Sequence, residues 1–214
     1  MDTFYRKALN YLAPYQQKVP KWMETIKTTG EDLKVPIVSD DLGWFLRMIC
    51  SLVRPEKILE IGCGISYSTH WMLLGSNNSQ IIAFDGNSDR INMAEKFLKA
   101  SGYKDQVTLL NCLASDFFSK NKQTFDFIFQ DSSKKNYLDM MIPCYESLNK
   151  GGIMVVDNIF FNGKVITLSL DDKKKYSTGV EAVKKFNHEV AELEGLECTF
   201  LPFSDGVLVA KKTS

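Results

Sequence analysis

Two short acidic clusters carry the chain's most pointed chemistry. Asp131-Ser132-Ser133-Lys134 closes the apolar run Phe125-Asp126-Phe127-Ile128-Phe129, and Asp157-Asn158 closes Ile153-Met154-Val155-Val156. Two carboxylates and an amide are hard oxygen donors. They suit Mg²⁺, or another divalent cation such as Mn²⁺ or Ca²⁺, whose remaining ligands come from water or substrate. Lys134, three residues after the first aspartate, adds a candidate base. A single aspartate at a strand end is commonly a turn or N-cap residue, but two of them with Asn158 and Lys134 at matching places favour the chemical reading.

The elements that must deliver these groups follow from periodicity. Both runs are short, apolar but for Asp126 and bounded by turn residues, as buried parallel strands are. Strands are predicted at 57–61, 80–84, 107–111, 125–130 and 153–156, and helices at 66–74, 88–101, 136–148 and 179–193. Alternation of this kind implies right-handed crossovers and a doubly wound, mostly parallel α/β sheet. The runs 197–201 and 207–211 are separated only by Pro202-Phe203-Ser204-Asp205-Gly206, too short for a crossover helix, so they form an antiparallel hairpin. In that ending the chain resembles the Rossmann-like class I methyltransferase variant of the fold. Residues 3–53 read as helical, with amphipathic stretches at 4–12, 18–28 and 39–53, the last opening on a capping-type Ser39-Asp40-Asp41. The segment 160–177 is the longest predicted loop, placed as a lid would be. The whole chain, 1–214, is expected to be one domain, with a helical region at 1–53 and the core at 54–214.

Composition narrows the class. Lysine plus arginine and aspartate plus glutamate number 26 each, so no global field draws the chain to nucleic acid or an anionic membrane. Cys50, Cys63, Cys112, Cys144 and Cys198 are odd in number, dispersed and free of C-x-x-C spacing, as buried thiols in a reducing compartment are. The first residues lack the apolar core of a signal peptide, and no run has the length of a membrane span, so a cytoplasmic location without membrane association is expected. His70 and His188 have no ligand-like companions and are expected on helix surfaces or in local hydrogen bonds. Trp44, Trp71, Phe160 and Phe161 are core residues or the lining of a planar acceptor's pocket, with Phe160 and Phe161 the better pocket candidates. Lys173-Lys174-Lys175 is a solvated loop or a means of steering an anionic acceptor.

A second half-site lies at the first strand. Glu60-Ile61-Gly62-Cys63-Gly64-Ile65-Ser66-Tyr67-Ser68 follows it, and Asp85 ends the second strand. Glycines there let backbone approach a ligand, and the acid can accept both hydroxyls of a ribose. A dinucleotide site would want a third glycine at position 67, which is Tyr67. S-Adenosylmethionine has no phosphate, and its zwitterionic end could be held by Ser68, the helix N-terminus and Glu60. Alternatively Gly62 and Gly64 merely shape a tight turn.

With these motifs, and with Val38-Ser39-Asp40-Asp41-Leu42-Gly43, Asp157-Asn158-Ile159-Phe160-Phe161-Asn162-Gly163-Lys164-Val165, Phe186-Asn187 and Leu201-Pro202-Phe203-Ser204-Asp205-Gly206, the chain resembles the cation-dependent O-methyltransferases of the catechol and caffeoyl-CoA type, small bacterial members included. By position, the resemblance implies metal ligands Asp131, Asp157 and Asn158, and a catalytic Lys134 that also meets the substrate. It implies cofactor contacts at Val38, Glu60, Gly62, Cys63, Ser68, Asp85, Ala114 and Asp131, and Asn162 near the acceptor. Three departures stand out: Ser66 replaces a loop glycine, Leu113 an acid before Ala114, and Ser133 the bulky residue that precedes the lysine in the catechol enzyme.

The chemistry so implied is methyl transfer from S-adenosylmethionine to a hydroxyl of a small catechol-like or hydroxycinnamoyl acceptor, with the two reactants aligned. An ammonium held beside a second positive charge releases its proton more readily, which is how a lysine serves as base. The alternative acceptor is a hydroxyuridine in tRNA, against which the balanced charge speaks. A non-catalytic cofactor-binding protein is the remaining reading, disfavoured by the intact Lys134 and ligand set. A homodimer through the N-terminal helices is also implied.

Overall fold

The computed structural model describes residues 3–214, with side chains other than those of Thr3, Leu170, Asp171 and Lys174. Three helices, α1 (Thr3–Leu12), α2 (Lys21–Asp32) and α3 (Asp40–Val53), precede the sheet. There follow β1 (Lys57–Ile61), α4 (Tyr67–Gly75), β2 (Gln80–Asp85), α5 (Ser88–Ser101), β3 (Val107–Asn111), α6 (Ala114–Lys120) and β4 (Phe125–Gln130). The chain ends with α7 (Tyr137–Ser147), β5 (Leu148–Val156), α8 (Leu170–Glu192), β6 (Leu196–Leu201) and β7 (Val207–Lys212).

The seven strands run in the order β3-β2-β1-β4-β5-β7-β6, parallel from β3 to β5, with β7 antiparallel to both neighbours. This is the doubly wound sheet with a C-terminal hairpin that the sequence predicts. Side chains along the strands alternate between two buried layers. Ile58, Phe127, Phe129 and Val155 face α2, α3, α4 and α5, while Leu59, Ile128, Met154 and Val156 face α7 and α8. Helices therefore cover both faces, which is why these strands are mostly apolar on both sides. The α3–α4 contact is close because Gly43 and Gly75 lack a Cβ, which would lie 2.4 Å from the Trp71 ring and 2.1 Å from the Arg47 carbonyl oxygen.

Several local expectations change. α8 begins nine residues earlier than the predicted 179, so the loop after Asn158 is shorter than predicted and turn-rich, and Lys173 and Lys175 are helical; the Lys174 side chain lies outside the described residues. A helical phase masked by the charges in 172–175 explains the error. α6 was not foreseen, being only two turns long. Ser39 occupies the N-cap position of α3, but its hydroxyl meets Ser204 Oγ at 2.8 Å rather than capping the helix. Of the two expectations for His70, the local hydrogen bond holds and the surface position does not: the ring is fully buried and bonded to the Ser66 carbonyl. Trp71 is core, packed against the half-buried Trp44. All five cysteines are free; Cys112 and Cys198 are only half-buried. Among the described residues no helix is long and apolar enough to cross a membrane.

Candidate functional site

The strand register assembles the site. Ile61 pairs with Gln130, and Gln130 with Val156, so Gly62, Asp131 and Asp157 leave three adjacent strands at one level. The ladder continues one step past the strands: the Asp131 N–H donates to the Ile61 carbonyl at 2.9 Å, and that of Asp157 to the Gln130 carbonyl at 3.1 Å. In-register neighbours of parallel strands point to the same side about 4.8 Å apart. Asp131 thus stands beside the β1–β4 junction where the strand order reverses, the place where such sheets bind ligands, with Asp157 on the next strand at the same level. Gly62 makes this possible: at φ +90° it occupies the left-handed region, and a Cβ there would lie 2.3 Å from the Asp131 carbonyl oxygen.

Around the two acids the polar contacts close. Lys134 Nζ donates to Asp131 Oδ1 at 3.1 Å, to the Ser132 carbonyl at 3.3 Å and, through a short bond, to Asn158 Oδ1. Asn158 reaches inward because its backbone is left-handed, φ +58°, a conformation asparagine tolerates. Asp157 is 3 % exposed, and its Oδ1 accepts from the Asn158 N–H at 2.7 Å. Burial, then the adjacent Asp131 carboxylate, push its carboxyl up to about 8. Tyr137 braces the strand end, its hydroxyl donating to the Asp157 carbonyl at 2.8 Å.

These donors fit a hard divalent cation. Asp131 Oδ1 and Asn158 Oδ1 already converge on one positively charged nitrogen, and the neighbouring buried carboxyl of Asp157 is penalised by a charge that a cation would offset. No cluster of three or more His, Cys, Asp or Glu side chains forms among the described residues, so the candidate set is two carboxylates and one amide.

Two cavities meet at this point. The first, of about 400 Å³, is lined by Gly62, Gly64, Asp85, Ala114, Asp131 and Lys134 among others. Asp85 is held by the N–H groups of Gly64 (3.2 Å) and Asn87 (2.8 Å) and faces Arg90 at 3.7 Å. Glu60, Cys63, Ser68 and Val38 are buried behind that wall rather than lining it. Glu60 accepts short hydrogen bonds from the hydroxyls of Ser68 and Thr69, and complete burial raises its carboxyl to about 7. The second cavity, about 560 Å³, is lined by Ser132, Ser133, Lys134, Lys135, Phe161, Lys175, Tyr176, Thr178 and Gly179. Lys134 and the two serines line both. Asn162 stands beside the second cavity without lining it; its neighbour Phe161 does.

Sequence reasoning missed Arg90, Tyr176 and Gly179, which lie on helices with no strand-end signature. A local hydrogen bond is among the expectations for His70, but its bracing of the glycine loop is not. Ser66 adopts φ +71°, and its carbonyl accepts from both the backbone N–H (3.1 Å) and Nδ1 (2.6 Å) of His70. A left-handed serine costs about 1–2 kcal/mol, which these bonds offset. With Nδ1–H so committed, Nε2 is the acceptor, and Ser101 Oγ lies 2.8 Å from it. Burial lowers His70 to about 4, keeping the ring neutral.

The sequence matches the O-methyltransferase family over residues 16–213. It is 26% identical over 207 residues to caffeoyl-CoA O-methyltransferase 1 of Arabidopsis thaliana, covering 91% of this chain and 79% of that protein. It is 27% identical over 222 residues to the caffeoyl-CoA O-methyltransferase of Medicago sativa, covering 99% and 89%. Among solved structures, the O-methyltransferase from Bacillus cereus in complex with SAH superposes with a TM-score of 0.87 at 21% identity over the full length of both chains. The O-methyltransferase TomG from Streptomyces achromogenes in complex with SAM gives 0.86 at 20% identity, again over both full chains. At such identities the structural likeness is one of fold.

Proposed function

The chain belongs to the O-methyltransferase family, and from that premise we propose that it transfers the methyl group of S-adenosylmethionine to a hydroxyl of a small catechol-like or hydroxycinnamoyl acceptor, with a divalent cation, Mg²⁺ or a substitute such as Mn²⁺ or Ca²⁺. The observation that carries this reading is Lys134, whose Nζ is fixed on Asp131 and Asn158 at the wall shared by the two cavities.

The first cavity is assigned to the donor. Asp85 at its rim takes the ribose hydroxyls, Gly62 and Gly64 let backbone approach, and Ala114 with Leu113 flanks the adenine. Glu60 and Ser68 act from behind the wall on the methionine end, with Cys63 and Val38 packing the loop and the start of α3. The second cavity takes the acceptor, whose ring lies against Phe161, with Asn162 at its edge. Asp131, Asp157 and Asn158 would hold the cation, which, when bound, acts as a Lewis acid toward the acceptor's oxygens. Lys134, as the neutral amine, would take the hydroxyl proton as the oxygen bonds to the methyl carbon, and the S–CH₃ bond breaks to leave S-adenosylhomocysteine. Holding both reactants in line supplies much of the remaining acceleration. Exposed Tyr11, Leu12 and Tyr15 near α1, with Met48 and Leu52 on α3, support pairing of two copies through the N-terminal helices.

The test measures transfer from labelled S-adenosylmethionine to a catechol panel and to unmodified and hydroxyuridine-bearing tRNA, with Mg²⁺ or with chelator. Chelator-sensitive transfer to catechols is expected. Transfer to tRNA alone would replace the acceptor assignment, and donor binding without any transfer would favour a non-catalytic role. Lys134→Ala should lower kcat by roughly 100-fold or more while donor affinity, read by titration, stays near wild type. A variant as fast as wild type would remove Lys134 from the mechanism.

A further inference from the structure

The second cavity has a charge character that a neutral acceptor does not need. It opens between the turn Lys134–Asn136 and residues 175–179 of α8. Phe161 and Tyr176 form an aromatic wall, their rings edge to face at 5.9 Å. Gly179 lets the wall close, since a Cβ there would come within 2.7 Å of the Phe161 ring. Lys134 and Lys135 line it from the turn and Lys175 from α8, its Nζ 5.1 Å over the Tyr176 ring, and the described lining residues include no carboxylate. Lys134 is paired with Asp131 at 3.1 Å, whereas Lys135 and Lys175 form no ion pair among the described residues. Lys164 stands 4.7 Å above the Tyr176 ring and adds a further positive charge behind that wall.

From this arrangement we infer that the acceptor carries an anionic substituent, such as a carboxylate, on the side of its ring away from the reacting hydroxyl, held by Lys135 and Lys175. The inference rests on the function proposed above and names its substrate class: acidic dihydroxyaromatic compounds. Lysines gathered round one aromatic-walled cavity, in a chain with no net charge, fit a small anion better than the extended phosphate track of an RNA. Both lysines are exposed, so the effect is moderate and screened by salt.

The experiment compares 3,4-dihydroxyphenylacetate and 3,4-dihydroxybenzylphosphonate with neutral 3,4-dihydroxyphenylacetamide and cationic 3,4-dihydroxybenzylamine. KM is measured with the full chain, S-adenosylmethionine and Mg²⁺; calorimetric affinity is measured with S-adenosylhomocysteine in place of the donor. The acids should have KM values roughly threefold to tenfold below the amide, with the amine the weakest, and the spread should shrink in about 0.5 M salt. The two acids, compared with each other, tell carboxylate from phosphate-like recognition. Combined Lys135→Ala and Lys175→Ala should bring the acid-to-amide ratio near one, and Lys175→Glu should move the preference toward the amine. Equal values for acid, amide and amine in wild type, or a preference that survives the double substitution, would overturn the inference. Absence of transfer to every catechol would instead sink the function proposed above. The calorimetric comparison needs no turnover and would still decide the charge preference, and binding of hydroxyuridine-bearing tRNA with no binding of the acids would also overturn it.

Discussion

At the scale of single residues, the site depends on where hydrogen atoms stand in for side chains as much as on its acids. Gly62 has no Cβ and a left-handed backbone, and both are needed for Asp131 to continue the ladder from Ile61. Gly62→Ala should cost about 1–3 kcal/mol in denaturant unfolding. It should also reduce methyl transfer disproportionately, because the Asp131 backbone must move. A variant with normal stability and rate would show that the close approach is not required. Lys134 teaches a complementary point. Its spacing from Asp131 was visible in the sequence, but its contact with Asn158, twenty-four positions away, depends on Asn158 adopting a left-handed backbone, which composition does not announce.

At the scale of elements, the turn of the β6–β7 hairpin fastens the acceptor-side loop. The carboxylate of Asp205 accepts from the N–H groups of Asn162 (2.6 Å) and Gly163 (3.2 Å), and its backbone carbonyl accepts from Phe160 N–H at 2.9 Å. These bonds hold Phe161 and Asn162 at φ +52° and +53°, a costly pair of left-handed residues. Asp205→Ala should raise the acceptor KM by about tenfold, the worth of one charge-assisted hydrogen bond, with donor affinity little changed. Asp205→Asn, which keeps one acceptor oxygen, should recover part of it. Equal KM values for all three proteins would dissociate the hairpin from the acceptor site. The hairpin itself was legible, because five turn residues cannot house a crossover. The early start of α8 was not, since charged residues on an exposed helix face carry no apolar period.

At the scale of the whole molecule, two buried ionisable groups give stability opposite pH slopes. Glu60 titrates at about 7 in the fold against 4.5 when free, so its contribution is complete below pH 4.5 and is lost as pH rises to 7. His70 titrates at about 4 against 6.5, so its contribution is complete above pH 6.5 and is lost as pH falls to 4. Each span is worth roughly 3 kcal/mol. Glu60→Gln should therefore stabilise the ligand-free protein by up to about that amount at pH 8 and by nothing below pH 4.5, read from denaturant midpoints at both values. A gain of the same size at both pH values would assign it to packing instead. The succession of strands, most of the helices between them, the C-terminal hairpin and the presence of two aspartates, an asparagine and a lysine at strand ends were legible in the sequence, because local periodicity and turn chemistry act over a few residues, whereas the two-turn α6 was too short to show. Only the tertiary structure decided that Gly62, Asp131 and Asp157 share one level of the sheet, that Glu60 and His70 work from behind the loop, and that lysines from the turn Lys134–Asn136 and from α8 line one aromatic cavity. Those are questions of register and packing between segments far apart in the chain, and no local pattern encodes the distance between them.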